Sequence, residues 1–214
     1  MGVLVKGSLI VVSAPSGAGK TSLTHAAIDQ LASDGHDVSF SVSYTTRASR
    51  PGELDGRDYH FVSEETFVDM AERGAFLEHA RVFDRRYGTG RERTLAVLEQ
   101  GLDVVLDIDW QGARQVRTAY PDAVLVYVLP PSTEALRARL SGRGQDSDDV
   151  IERRMRDAAA EMSHWREYDY VIVNDDFDAA ARSLVAVFRA ARLRRVLVEA
   201  GPVGELARSL VKPG

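Results

Sequence analysis

The sequence predicts an α/β fold in which a five-stranded parallel sheet is flanked by helices. Short, continuously apolar stretches rich in β-branched residues recur along the chain, and most of them precede a segment with helical spacing. A glycine-rich turn follows the first of these stretches directly. The chain has 214 residues, of which 44% are hydrophobic, so it can bury the core of one good-sized domain.

The strands and helices follow from this pattern in order. The predicted strands cover residues 9–12, 38–43, 104–108, 124–129 and 170–173. The first helix is predicted over about 22–31 and a long last helix over about 178–200, while the tail at 201–214 is expected to be a loosely packed appendage. Because parallel strands end at one edge of a sheet, the functional site is expected at their carboxyl ends.

Two segments interrupt the alternation of strands and helices. Residues 44 to about 95 are dense in Gly, Arg, Tyr and Asp, with a strand-like piece at 59–62 and a helix starting near Ser63, which indicates an inserted lobe. A polar run at 141–149 lies between two helices and is interpreted as a mobile lid. The predicted division is a discontinuous core of residues 1–38, 96–138 and 156–214, a lobe of residues 39–95 and a lid of residues 139–155.

Charge and composition exclude several classes of function. The net charge of -5 argues against a general nucleic-acid binder, although local arginines can still bind small anionic ligands. The chain has no cysteine, so it has neither disulfides nor a thiolate metal site. The short apolar run near the N-terminus continues into the glycine-rich turn, unlike a signal peptide, and no stretch reaches membrane-spanning length. A cytoplasmic enzyme is therefore expected.

The glycine-rich turn has the composition of a phosphate-binding loop. Gly17 and Gly19 allow successive backbone N–H groups to point inward, and the helix that follows directs its positive N-terminus at the same point. Lys20 would reach the β- and γ-phosphates of a nucleoside triphosphate, and the Thr21 hydroxyl would ligate Mg²⁺. The pattern G-x-x-x-x-G-K-[ST] is met except that Ala14 replaces its first glycine. The alternative is a glycine-rich turn without a ligand.

Two further groups of residues suit phosphate chemistry. Arg47, Arg50 and Tyr59 lie close together in the chain, and guanidinium forks with a tyrosine hydroxyl suit a phosphate monoester. The alternative for the two arginines is a solvated basic turn. Asp107 ends a predicted buried strand, where a carboxylate can organise the water shell of Mg²⁺, cap the next helix, or do both.

Seven segments of the chain resemble the guanylate kinase family, whose members phosphorylate GMP with ATP. They read APSGAGKT, SVSYTTRASRPGELDGRDYHFVS, FLEHA, RYGT, VVLDIDWQG, RLSGRGQ and VIVNDDF, in the family's order over residues 8 to about 188. The resemblance implies a P-loop kinase sheet with an inserted mixed α+β lobe that binds GMP, a mobile lid, ATP as co-substrate and Mg²⁺ as cofactor. The departures are Ala14, Tyr44 and the tail past about residue 190.

The resemblance also implies a role for each matching residue. The phosphate of GMP would be bound by Arg47, Arg50, Tyr59 and Tyr87, and guanine by Ser43, Glu78, Thr89 and Asp109. ATP would be bound by Ala14, Pro15, Ser16, Gly17, Ala18, Gly19, Lys20, Thr21 and Ser22, with Arg139 and Asn174. The catalytic residues would be Lys20, Arg47, Arg143 and Arg154, and Mg²⁺ would be held by Thr21 and, through water, by Asp107.

The chemistry of guanine agrees with these roles. An ionised Glu78 can accept from both N1–H and N2–H₂ of guanine, while the Ser43 hydroxyl donates to O6. Adenine has an acceptor at N1 and lacks the 2-amino group, so a site built for guanine should reject AMP by up to about 10⁴-fold.

Several alternatives stay open at the level of the sequence. A non-catalytic module of the same family could bind phosphorylated protein partners, although the intact phosphate loop speaks against it. A kinase for another phosphorylated small molecule is disfavoured by Ser43 and Glu78. The arginines at 139, 143 and 154 could instead be surface charges paired with Asp146, Asp148 and Asp149. The oligomeric state, the role of the tail and a preference for dGMP over GMP are left open.

Overall fold

Two sheets and their covering helices form the part of the chain described by a computed structural model, residues 6–82, 84–141 and 148–211. The strands are β1 Leu9–Ser13, β2 Val38–Phe40, β3 Tyr44–Thr45, β4 His60–Phe61, β5 Phe76–Val82, β6 Arg85–Gly90, β7 Asp103–Asp107, β8 Val124–Leu129 and β9 Tyr170–Val173. The helices are α1 Lys20–Ser33, α2 Glu64–Glu72, α3 Arg91–Glu99, α4 Trp110–Ala119, α5 Thr133–Ser141, α6 Asp148–Met162, α7 Phe177–Arg192, α8 Arg195–Val198 and α9 Pro202–Leu210, with a 3₁₀ turn at Ser163–Glu167.

The larger sheet has five parallel strands in the order β2-β7-β1-β8-β9, which confirms the predicted fold class. Every residue of the central strand β1 is buried, because helices cover both faces of the sheet. The register pairs Val12 with Asp107 across β1 and β7, so the phosphate loop begins beside the end of β7. The predicted strand 38–43 is shorter than expected and ends at Phe40, where the chain leaves the sheet for the inserted lobe.

Apolar side chains on each face of this sheet pack against a pair of helices. Leu23 and Leu31 of α1 and Phe188 of α7 are fully buried on one face. Leu98 of α3 and Val116 of α4 are fully buried on the other. The central strands are thereby held rigidly, and their carboxyl ends form a fixed edge for a site.

The C-terminal region differs from the predicted long helix over about 178–200. Helix α7 ends at Arg192, and Leu193 is 77% exposed. The apolar face that packs α7 against the sheet therefore does not continue past the end of the helix. The short helix α8 follows, and the tail forms a further helix, α9, which the sequence did not predict. Leu206 and Leu210 of α9 are largely exposed.

The inserted segment forms the smaller sheet, with the strand order β4-β3-β6-β5. Strands β5 and β6 form an antiparallel hairpin, and Phe67 of α2 stacks on Phe76 of β5 with ring centroids 4.5 Å apart. The predicted helix start near Ser63 is confirmed, because the Ser63 hydroxyl accepts a hydrogen bond from Thr66 N at 3.0 Å and caps α2.

A buried carboxylate at the opposite end of the larger sheet from the phosphate loop predicts a large effect on stability. Asp103 is fully buried, accepts from Ser8 N at 2.6 Å and from Arg192 Nη1 at 3.0 Å, and contacts His36 Nε2 at 2.6 Å. We expect Asp103→Ala to lower the free energy of unfolding by about 3 kcal/mol, because it leaves buried hydrogen-bond donors without an acceptor. Urea unfolding at pH 7 measures this. An Asp29→Asn control on the exposed face of α1 should change it by less than about 0.5 kcal/mol.

Candidate active site

The turn between β1 and α1 has the backbone geometry of an anion-binding loop. Gly17 and Gly19 have φ of 89° and 87°, in the left-handed region that favours glycine. A Cβ on Gly17 would lie 2.8 Å from Leu140 Cδ2, and one on Gly19 would lie 2.8 Å from Asn174 Nδ2. Neither position can hold a side chain without displacing a neighbour, and the loop leads directly into the N-terminus of α1.

Three side chains of the loop region meet at the carboxyl ends of β1 and β7. The Lys20 ammonium forms an ion pair with the Asp107 carboxylate and donates to the Ile108 carbonyl at 3.1 Å. The Thr21 hydroxyl donates to Asp107 Oδ2 at 2.8 Å. The cap of the helix after β7 is a different residue, since Asp109 Oδ1 accepts from Gly112 N at 2.8 Å. Asp107 is therefore not used as a helix cap and faces Lys20 and Thr21.

Mg²⁺ fits this arrangement in its donor chemistry. A hydroxyl and a carboxylate are the oxygen ligands that Mg²⁺ prefers, and the ion usually keeps several waters and takes its other ligands from substrate phosphates. Within the described residues there is no group of three or more His, Cys, Asp or Glu side chains placed to hold a metal alone. Thr21 and Asp107 thus suit an ion that arrives with a nucleotide.

Side chains from distant parts of the chain fix the back of the phosphate loop. The buried Asn174 amide donates to the Ala18 carbonyl at 2.8 Å. Arg139 of α5 donates to the Asn174 carbonyl at 3.0 Å and more weakly to the Ala18 carbonyl at 3.4 Å. An ATP-binding role was predicted for both residues; in this structure Asn174 contacts the loop, and Arg139 contacts Asn174 and the loop. Arg143 lies outside the described residues.

A cavity of about 450 Å³ opens in front of the loop. It is lined by Ala14, Pro15, Ser16, Gly17, Gly19, Lys20, Thr21, Ser22, Arg139 and Glu161. Helix α6 borders it, since Arg154 Nη2 donates to Ser16 Oγ at 3.0 Å and Glu161 Oε2 accepts from Ser16 N at 3.2 Å. Glu161 was not among the residues that the sequence predicted for the site.

A buried carboxylate marks the second part of the site, in the inserted lobe. Glu78 of β5 is only 6% exposed, and its Oε1 accepts a hydrogen bond from the buried Thr89 hydroxyl at 2.6 Å. A Cβ on Gly112 would lie 3.1 Å from Glu78 Oε2, so the glycine makes room for the carboxylate. Burial raises the pKa of Glu78 to about 7, the Thr89 hydrogen bond opposes the shift, and the nearby charge of Asp109 adds to it.

A cluster of aromatic and charged side chains lies on the same lobe. The Arg47 guanidinium is 5.2 Å from the centre of the Tyr59 ring, which in turn lies 6.0 Å from the Tyr87 ring. Arg47 forms a forked ion pair with Glu53, with N···O distances of 2.9 and 2.8 Å, and Arg50 N donates to the same carboxylate at 2.7 Å. Hydrogen bonds from Arg47 lower the pKa of the Glu53 carboxyl.

The structure joins the phosphate loop to part of the predicted GMP site. A cavity of about 490 Å³ extends from Thr21 and Asp107 at the phosphate loop to Ser43 and Tyr59 on the lobe. Glu53 is a residue of the cluster that sequence reasoning missed. Its place in the same turn as Arg47 and Arg50 was the only available signal, because one acidic residue in a polar turn is usually solvated.

Comparisons with known proteins agree on one family. The model of the family described as guanylate kinase matches residues 6–191. A guanylate kinase of Nitrosococcus oceani is 53% identical over 195 residues, which are 91% of this chain and 94% of that protein. A guanylate kinase of Alkalilimnicola ehrlichii is 56% identical over 188 residues, covering 88% of this chain and 91% of that protein.

A solved structure is similar as well. The crystal structure of guanylate kinase from Anaplasma phagocytophilum matches with a TM-score of 0.67 and 33% identity, over 92% of this chain and 95% of that one. The matches therefore span the sheet, the inserted lobe and most of the helices.

Proposed function

The chain belongs to the guanylate kinase family, and from this premise we propose which of its residues carry out the transfer of the γ-phosphoryl group of ATP to GMP. The activity is that of an ATP:GMP phosphotransferase. The observation that carries the residue assignment is one cavity of about 490 Å³ that joins Thr21 and Asp107 at the phosphate loop to Ser43 and Tyr59 on the lobe. The acceptor and the donor can meet there without a covalent enzyme intermediate.

ATP binds at the phosphate loop in this proposal. The loop amides and the N-terminus of α1 face its β- and γ-phosphates, and Lys20 exchanges its contact with Asp107 for a phosphate oxygen. Arg139 and Asn174 hold the loop in shape and border the nucleoside. Thr21 and, through water, Asp107 would hold Mg²⁺, which would neutralise part of the phosphate charge.

GMP binds on the inserted lobe. Glu78, Thr89, Asp109 and Ser43 surround guanine, while Arg47, Arg50, Tyr59 and Tyr87 bind its phosphate. Arg47 must then exchange its fork with Glu53 for a fork with phosphate oxygens, which match a guanidinium equally well. The hydroxyl at the 2′ position plays no part in this scheme, so dGMP is also expected to be a substrate.

The transfer step needs positioning and charge neutralisation. An oxygen of the GMP phosphate is already a competent nucleophile, so no residue has to remove a proton from it. Arg47, Lys20 and the lid arginines at 143 and 154 stabilise the charge that spreads over the transferred group. If water stays excluded, ATP is not hydrolysed in place of transfer.

The domain division predicted from the sequence completes the proposal. A lobe predicted at 39–95 presents GMP, although Ser39 and Phe40 belong to β2 of the larger sheet. A core of residues 1–38, 96–138 and 156–214 presents ATP, and a lid at 139–155 closes over both. Among the helices that the structure describes, none has both the length and the apolar character that a membrane span requires. The cytoplasmic location stays a prediction.

A coupled assay of ADP production tests the proposal. ATP and Mg²⁺ are supplied with GMP, dGMP, AMP, CMP or UMP in separate reactions, and each reaction is repeated with excess EDTA. Turnover confined to the guanine nucleotides and abolished by EDTA is expected. Turnover of AMP at a similar rate would contradict the guanine assignment of Glu78, and silence with every acceptor would favour the non-catalytic binding module.

The pH dependence of GMP use provides an independent test of Glu78. The carboxyl must be ionised to accept from N1–H and N2–H₂ of guanine, and burial raises its pKa to about 7. We therefore expect kcat/KM for GMP, which reports the free enzyme, to fall by up to about tenfold per pH unit as the pH drops below about 7. The GMP phosphate has a pKa of about 6, so the control is a Glu78→Gln variant, whose pH profile should keep only the contribution of that phosphate.

A further inference from the structure

An acidic side chain lies in the cavity that faces the phosphate loop. Glu161 is in the last turn of α6, and it is half-buried and lines the same cavity as Lys20 and Arg139. Its Oε2 atom accepts from Ser16 N at 3.2 Å, across 145 positions of the sequence. That N–H belongs to the loop whose amides favour an anion, so the Glu161 carboxylate is an anion already bound by the loop.

A second contact shows that α6 holds the loop at two points. Arg154 Nη2 donates to the hydroxyl of Ser16, while Glu161 accepts from the backbone N–H of the same residue. Arg154 and Glu161 are seven positions apart, which is about two helical turns, so both lie on one face of α6. The adjacent side chains Met155, Ala158 and Met162 pack with Leu136 and Leu140 of α5. The two contacts are therefore made from a helix that is packed as a unit.

The charge of Lys20 links Glu161 to the phosphate site. Burial raises the pKa of its carboxyl, the Ser16 hydrogen bond and the charge of Lys20 lower it, and the charges of Asp109 and Asp157 raise it. The carboxylate thus lies within the field of the lysine proposed to bind ATP phosphates. A phosphate group entering this position would meet both a favourable lysine and an unfavourable carboxylate.

We propose that Glu161 is a positioning residue that occupies an amide of the phosphate loop in the nucleotide-free enzyme and must leave it when a triphosphate binds. The two contacts of α6 respond in opposite ways to an incoming phosphate, since it repels Glu161 and attracts Arg154. ATP binding therefore changes how α6 is held against the loop, and this couples the position of α6 to occupancy of the site. The inference rests on the proposed ATP site at the phosphate loop.

Titration calorimetry with inorganic tripolyphosphate and with ATP plus Mg²⁺ tests the inference. We expect Glu161→Ala to bind both about tenfold more tightly than the original chain, because a competing charge-assisted hydrogen bond has been removed. Glu161→Gln should shift affinity in the same direction by a smaller factor, since its amide oxygen can still accept from Ser16 N. The Kd for GMP should stay the same in both variants.

Asp157→Asn is the matched control. It removes the same formal charge from the same helix, but the Asp157 side chain is 67% exposed and its ion pair with Arg153 is long, at 3.9 Å. We expect its affinity for tripolyphosphate to change by less than about twofold. A gain as large as that of Glu161→Ala would show a general charge effect and overturn the proposal. Unchanged or weaker tripolyphosphate binding by both Glu161 variants would overturn it as well.

A Lys20→Ala variant separates the failure of this inference from failure of the site itself. If Lys20→Ala binds tripolyphosphate normally, the ATP site is misplaced and both proposals fail. If it loses binding while the Glu161 variants bind no more tightly than the original chain, only the role of Glu161 is wrong. Thermal unfolding of each variant without ligand confirms that folded proteins are being compared.

Discussion

Replacing Lys20 by alanine is expected to lower kcat by about 10³-fold or more while the protein stays folded. The ammonium lies where the β- and γ-phosphates are proposed to bind, and it is held there by the Asp107 carboxylate and the Ile108 carbonyl. Its charge is most valuable in the transition state, when charge spreads over the transferred group. Single-turnover measurement of GDP formation with saturating ATP and GMP separates this loss from weaker binding.

Another lysine, Lys6, provides a matched control for Lys20→Ala. Lys6 lies over the Tyr120 ring, 5.4 Å from its centre, on a part of the chain with no proposed role in the reaction. Lys6→Ala should keep normal turnover. Asp107 keeps its hydrogen bond from Thr21 at 2.8 Å in the Lys20 variant, so we expect only a modest change in thermal unfolding. Normal turnover by Lys20→Ala would remove the phosphate loop from the mechanism.

The sheet and the loop were predictable because their signals are local. Strands buried on both faces must be continuously apolar, and the loop must have glycine at positions with positive φ, as Gly17 and Gly19 do. The end of the last long helix was not predictable in the same way. Leu193 continues the apolar composition but meets no core, and whether a leucine is buried depends on what the rest of the chain places opposite it.

The missed site residues share one physical cause. Glu161 is 145 positions from Ser16, and Glu53 is recognisable only from the fork that it forms with Arg47. An acidic residue near a phosphate site opposes the charge pattern that sequence reasoning searches for, so neither was selected. For Asp107 the sequence allowed two roles, a magnesium-site carboxylate and a helix cap. The structure shows that Asp109 caps the helix instead.

Glu78→Gln is expected to lower kcat/KM for GMP by about 10²- to 10³-fold and to lower the GMP-to-AMP preference by at least about 10²-fold. The original carboxylate has acceptor capacity left after its 2.6 Å hydrogen bond from Thr89. A glutamine whose oxygen accepts from Thr89 turns its NH₂ group toward guanine. Two donors then face each other in a buried site, where an unpaired polar group is costly. Adenine, with an acceptor at N1, suffers no such conflict.

Glu65→Gln is the control for the loss of guanine selectivity. It makes the same substitution on the same lobe at an exposed position on α2, and it should leave the GMP-to-AMP ratio within about twofold of the original. The substitution at Glu78 is nearly isosteric, so packing against Thr89 and Gly112 is preserved and a general loss of folding would lower turnover of both nucleotides together. A fall confined to GMP therefore reports hydrogen bonding to the base. An unchanged ratio in a folded Glu78→Gln variant would mean that guanine is recognised by other groups, and that the buried carboxylate serves the lobe rather than the substrate.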